Sequence, residues 1–224
     1  MSKIGVLTGT IVVIGAIVFA LRTGSEKGAE QAGEAPAVAV EPDLPAMRLA
    51  TERFQDVEVA LAEGYIRDPF NICETADMMG LPAEQGAMGI HYFRPDLLGI
   101  TAPPDPRVNG TGTHTDFLAP SVLLYEPQAD GTFELVAVEN LVFAAAWQAA
   151  GQVDPPSFQG VPYDHMIDDP ATSLDEAHMF EPHYDRHVWL YRDNPNGVFT
   201  PFNPNVSCEH HQRTAVNLHG EATG

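Results

Sequence analysis

Nine histidines and 31 acidic residues in a chain of 224 give a large stock of nitrogen and oxygen donors, unevenly placed. The densest run lies between Asp164 and His187, where His165, His178, His183 and His187 are interleaved with Asp168, Asp169, Asp175, Glu176, Glu181 and Asp185. His114 with Asp116 forms a smaller group, and His210-His211 a third. Imidazole and carboxylate together suit zinc, iron or copper, provided the fold brings two or three of them to one point.

Strand periodicity selects among these donors. The stretch HYDRHVWLYR, His183 to Arg192, reads as a strand. Alternation puts His183, Asp185, His187 and Trp189 on one face, and Tyr184, Val188 and Leu190 on the other. Histidines four apart on a strand are ~13 Å apart at their Cα atoms, so only one of the pair is a comfortable ligand within the sheet. His187 sits deeper among apolar neighbours. His183 follows Pro182, where the chain bends more easily, and is a possible fourth ligand. His91 lies inside a second strand, MGIHYF, beside Gly86 and Gly89, which let another backbone or a ligand approach closely. Glu139 lies well inside a third, FELVAVENLVF, where a buried carboxylate must find a cation or hydrogen bonds. His91, Glu139 and His187 are therefore the expected ligands of a two-nitrogen, one-oxygen site with an open position. The competing reading is that the histidines are hydrogen-bonded core residues and the acidic runs are solvated surface.

These donors need a sheet to hold them. Ser121 to Glu126 and Phe133 to Phe143 flank Asp130-Gly131, a strong turn signal, and form a hairpin. Uninterrupted pairing across that turn places Glu126 opposite Phe133 and Glu139 near Pro120. The two glutamates are then on the order of 20 Å apart and share no metal. Before the strands, Met47, Ala50, Phe54, Val57 and Leu61 recur at helical steps, with Asp43 as cap, Pro45 in the first turn and Gly64 at the end. Ala144 to Ala150 reads as one or two helical turns. The rest is dense in Pro, Gly and Asn and reads as ordered loops. The expected fold is α+β and mainly antiparallel β: a small sheet or barrel with one packed N-terminal helix and long ordered loops.

Residues 4–21 carry no charge and span roughly 27 Å as a helix, enough for a bilayer core. They read as a membrane anchor within residues 1–22, with a cleaved signal peptide as the alternative. Residues 23–43, rich in Ala, Glu and Gly, read as a flexible linker. A single globular domain is expected over 44–209 and a histidine-containing flexible tail over 210–224. All the acidic residues lie beyond the apolar segment, and no lysine follows Lys27. The formal charge of −20 repels nucleic acid and anionic headgroups and attracts cations. Cys73 and Cys208 are the only cysteines. In an exported domain such a pair most often forms a disulfide; two thiolate metal ligands are the alternative.

No nucleophile elbow, phosphate-binding glycine loop, HExxH or haem-attachment CxxCH is present, so neither a nucleotide nor haem is expected. Glu209-His210-His211 holds only part of a zincin motif. The phrases GAMGIHYFRPDLL, SVLLYEPQADGTFELVAVENLVF and HVWLYRDNPNGVFTPFNPNVSC resemble a family of bacterial exported proteins over roughly residues 45–208. The resemblance implies an extracytoplasmic location and one domain ending near Cys208, and brings no activity, substrate or ligand with it. The acid-rich segment around 164–182 and the tail after Cys208 read as additions to that pattern.

The leading expectation is a periplasmic domain, tethered to the inner membrane, that binds Zn, Cu or Fe for metal handling or metal-dependent chemistry. One alternative is a non-catalytic envelope module that uses Tyr163, Phe180, Trp189 and Phe202 to grip a small molecule or protein partner. The other is an accessory subunit of a membrane complex.

Overall fold

The computed structural model describes residues 41–212. The candidate membrane segment, the linker up to residue 40 and the tail from residue 213 lie outside the described residues. Among those described, no helix is long and apolar enough to cross a membrane.

The chain enters through α1 (Leu44–Thr51), whose first turn is closed by Asp43 accepting from Ala46 N–H, with Pro45 behind it. The apolar stripe predicts one helix as far as Leu61. The structure instead tightens to a 3-10 turn at Glu52–Gln55 and restarts as α2 (Val57–Ala62). Asp56 causes the break: its backbone is extended, and its carboxylate caps α2 through Glu58 N–H. The stripe survives because Met47, Phe54 and Ala60 still face one core.

Then come β1 (Ile66–Arg67), β2 (Cys73–Thr75), β3 (Ala87–Phe93), α3 (Pro95–Leu98), β4 (Val122–Pro127), β5 (Phe133–Phe143) and α4 (Ala144–Ala149). A small ribbon of β6 (Ser157–Phe158) and β7 (Val161–Pro162) precedes β8 (Asp164–Met166) and β9 (His183–Val188). The sheet is open and antiparallel, in the order β1-β3-β4-β5-β9-β8, with β2 continuing the outer edge of β3 where β1 stops.

The two faces of this sheet bury different things. On one, Tyr92, Leu123, Tyr125, Val138, Val142, Tyr184 and Val188 pack against Met47, Phe54 and Ala60 of the N-terminal helices. On the other lie two smaller apolar clusters. One contains Leu124, Val136, Ala137, Trp189, Phe202 and Val206; the other contains Phe93, Val122, Leu141, Phe143, Leu98 and Phe180. Phe180, Val108, Phe202 and Val206 come from long loops, so loops rather than helices roof this second face. A disulfide between Cys73 and Cys208, with Cα atoms 5.8 Å apart, fastens β2 to the C-terminal loop. His211 lies beyond it with Nε2 2.9 Å from the Asn71 carbonyl, so the start of the expected tail touches the body.

The hairpin register differs from uninterrupted pairing. Near the turn Glu126 faces Glu134, but beyond Leu124 the count changes and Val122 faces Glu139. A β-bulge at Val136 inserts the extra residue, leaving Val136 and Ala137 in the same apolar cluster.

Candidate metal centre

The loop-roofed face carries the expected ligands. β5 and β9 pair so that Glu139 faces His187, Leu141 faces Asp185 and Phe143 faces His183. Directly opposed residues share a face with Cβ atoms about 5 Å apart, so Glu139 and His187 are neighbours through the backbone ladder alone. His91 comes from two strands away. It faces Leu124 on β4, and Leu124 in turn faces Ala137. β4 puts only Val122 and Leu124 between His91 and Glu139, and their two long side chains meet above them.

The result is a triad. His91 Nε2 lies 3.4 Å and His187 Nε2 3.5 Å from one atom, Glu139 Oε2. One ligand atom from each of the three falls within 4.8 Å of the others. Glu139 and His187 side chains are 2 % and 1 % exposed, while His91 is 15 % exposed and marks the side facing solvent. Glu139 Oε2 and His187 Nε2 are buried without a hydrogen-bond partner. Unsatisfied polar atoms of this kind are costly unless something else satisfies them. A cation would do so: donors 2.0–2.1 Å from one tetrahedral ion lie about 3.3 Å from each other. The two separations from Glu139 Oε2 match that edge. His187 Nδ1 also lacks a hydrogen bond, so the ring has none of the outer partners that usually orient a ligating imidazole.

Electrostatics agree with the donor set. Burial opposes ionisation of Glu139, but the charges of His187 and of the adjacent His91 outweigh it and hold the carboxyl below its usual range. Burial pushes His187 down to about 4, against the pull of Glu139, so this imidazole is neutral near pH 7 and its Nε2 lone pair is free to ligate. Burial acts on His91 in the same sense, yet the adjacent carboxylate of Glu139 with help from Glu74 and Asp68 raises it. His91 thus takes up a proton more readily than a free imidazole does, and a metal bound at its Nε2 would displace that proton.

His183 does not join the triad. It stands two steps along the same face, beyond Asp185, where its Nδ1 is 3.0 Å from the Glu181 carbonyl and its Nε2 3.8 Å from Asp185 Oδ2. Burial lowers it to about 4. Asp185 is raised well above the usual carboxylate range by burial and by the nearby charges of Glu139 and Asp164. Cys73 and Cys208 are joined to each other and serve no metal. Glu126, at the far end of β4, binds Arg192 and Ser207 N–H instead.

Two residues that strand reasoning passes over complete the pocket. Glu74 of β2 and His178 of the 167–182 loop line the same cavity as His91, Glu139 and His183. The cavity leaves about 20 Å³ for the centre of a water-sized sphere, room for roughly one water molecule or ion. Glu74 sits in a three-residue strand with no readable alternation, and His178 in an acid-rich loop that looks like solvated surface. The only sequence signal either offers is its residue type.

Comparison with protein-family models, with curated proteins and with solved structures finds no match.

Proposed function

We propose that this chain binds one transition-metal ion, Zn, Cu or Fe, through His91 Nε2, Glu139 Oε2 and His187 Nε2. The observation that carries the reading is the convergence of two imidazole nitrogens on one buried carboxylate oxygen that accepts no hydrogen bond. Three protein ligands leave positions for water or a small ligand, as in sites that do chemistry or pass a metal on. The small cavity next to the triad supplies that space.

The same reading places the domain outside the cytoplasm, held to the membrane by residues 4–21. It is supported by the uncharged segment, the acidic residues confined to the chain beyond it, and the disulfide, which suits an oxidising compartment. The alternative of an aromatic grip on a partner has less behind it, because Tyr163, Phe180, and the pair Trp189 and Phe202 belong to three different buried clusters.

Elemental analysis of untagged protein, as purified and after loading with zinc, tests the metal reading. One ion per chain is expected in the wild type and well under one in His91→Ala and His187→Ala. Zinc content that neither substitution changes would sink it.

A further inference from the structure

Away from the triad, one cationic side chain stands over a cavity without a counterion. Seven arginines lie among the described residues. Five of them, Arg53, Arg94, Arg107, Arg186 and Arg192, pair with carboxylates. Arg48 lies over the ring of Tyr191 at the surface. Arg67 of β1 has no acidic partner. Its guanidinium carbon is 5.1 Å from the centre of the Phe133 ring, and its Nε is buried with no hydrogen-bond partner. A buried charged N–H without an acceptor is costly, and native structures seldom leave one. Supply is not the reason, since the chain holds 31 Asp and Glu against 11 Lys and Arg.

Arg67 lines a cavity bounded by three separate parts of the chain. β1 supplies Arg67, the turn between β4 and β5 supplies Gln128 and Thr132 with Phe133 at its end, and the segment after the disulfide supplies His210 and Gln212. Asn71 fastens that segment: its carbonyl is 2.9 Å from His211 Nε2, and its side-chain amide donates to the Gln212 carbonyl. The cavity leaves about 170 Å³ for the centres of water-sized spheres, room for several waters or one small organic molecule. No carboxylate of the described residues lines it. The acids of the nearby hairpin are engaged elsewhere. Glu126 and Glu134 pair with Arg192, and Asp130 accepts from the Thr132 N–H and hydroxyl.

A guanidinium is charged at any working pH and presents paired N–H groups that match the two oxygens of a carboxylate. We propose that this cavity binds a small monocarboxylate, with its oxygens on the Arg67 fork and His210 and Gln212 as further donors. The charge of the chain sets the class of anion. At −20 the surrounding field opposes every anion. A phosphate dianion feels that repulsion twice and finds only one fixed cation, whereas a carboxylate brings one charge on two coplanar oxygens. The site is separate from the triad and does not depend on a metal.

The test uses the full chain, metal-free and without chelator (EDTA is itself a carboxylate), in Tris at pH 8. Acetate is titrated into nitrogen-15-labelled protein, and the Arg67 Nε–H signal and the amides of residues 128–133 and 210–212 are followed. Saturable shifts confined to these groups are expected, with a Kd on the order of 1 mM, the strength of two charge-assisted hydrogen bonds. Acetamide, which keeps the shape without the charge, is expected to leave them unmoved, and phosphate to bind more weakly than acetate. Arg67→Lys keeps the charge without the fork and is expected to weaken acetate by about tenfold; Arg67→Gln is expected to abolish binding. Shifts that grow without saturating, acetamide as effective as acetate, or an Arg67→Lys variant that binds as well as wild type would each overturn the proposal. Tighter binding of phosphate would make this a phosphate site and equally overturn it. The comparison of acetate with acetamide needs only the wild type, so it decides the matter even where neither variant folds.

Discussion

Replacing Glu139 by glutamine separates what this carboxylate does for the fold from what it does for a metal. The side chain keeps its size and its place on β5 opposite His187, but loses its charge. In the metal-free protein the penalty is small. Oε2 accepts no hydrogen bond that would be lost, and His91, deprived of its partner, sheds its proton rather than staying charged and buried. A change within about 1–2 kcal/mol follows. With zinc the difference becomes large. Metal at 100 times its Kd stabilises the native state by about 2.7 kcal/mol, which raises the Tm of a domain of this size by about 5–11 °C. Losing even an outer-sphere partner weakens metal binding by 10–100-fold, so on the order of 100-fold is a conservative cost for a direct ligand. At the same zinc concentration the remaining stabilisation is then about 0.4 kcal/mol, or about 1–2 °C in Tm. Scanning calorimetry of wild type and Glu139→Gln, each in EDTA and in zinc, reads both numbers. A variant that keeps the full zinc-induced rise refutes the assignment of Glu139.

Three further outcomes follow from the same geometry. In EDTA, stability should fall as pH drops from about 6.5 to about 4: His183 and His187 stay neutral in the fold down to about 4 while the unfolded chain protonates near 6.5. Each contributes on the order of 3 kcal/mol to this loss. The raised His91 works the other way, its contribution being complete below 6.5 and lost as pH rises through its folded value, so urea titrations at pH 4.5, 6 and 8 should show a net loss on the acid side. Zinc binding near pH 6 should release protons from His91 and none from His187, a count obtained by calorimetry in buffers of different ionisation enthalpy. Cys73→Ser with Cys208→Ser opens a link between residues 135 apart in sequence. It should cost up to about 5 kcal/mol by loop entropy, seen as a lower denaturation midpoint that reductant no longer changes.

The triad was legible because a sheet converts sequence position into side. Glu139 stood out as a carboxylate well inside a mainly apolar strand, and the alternation of HYDRHVWL put His187 on one face with His183 while distance allowed only one of them to the point of convergence. What escaped was anything that depends on a count being broken. The bulge at Val136 shifts Glu139 to face Val122, and no residue near it signals the insertion. Asp56 ends one helix and starts another, yet leaves the apolar stripe intact across the break. Glu74 and His178 lie where periodicity has no hold, in a three-residue strand and a loop, and only tertiary contact brings them together.

The bulge has a consequence for assembly. Side chains alternate along a strand, so sliding β3 or β9 by one residue would carry His91 or His187 to the helix-covered face, and pairing Val136 in register instead of bulging it would do the same to Glu139. A cation held by all three can bind only the correctly aligned sheet. It would therefore act as a proofreader of strand alignment, selecting one register of β3, β5 and β9 over its neighbours each time the chain folds.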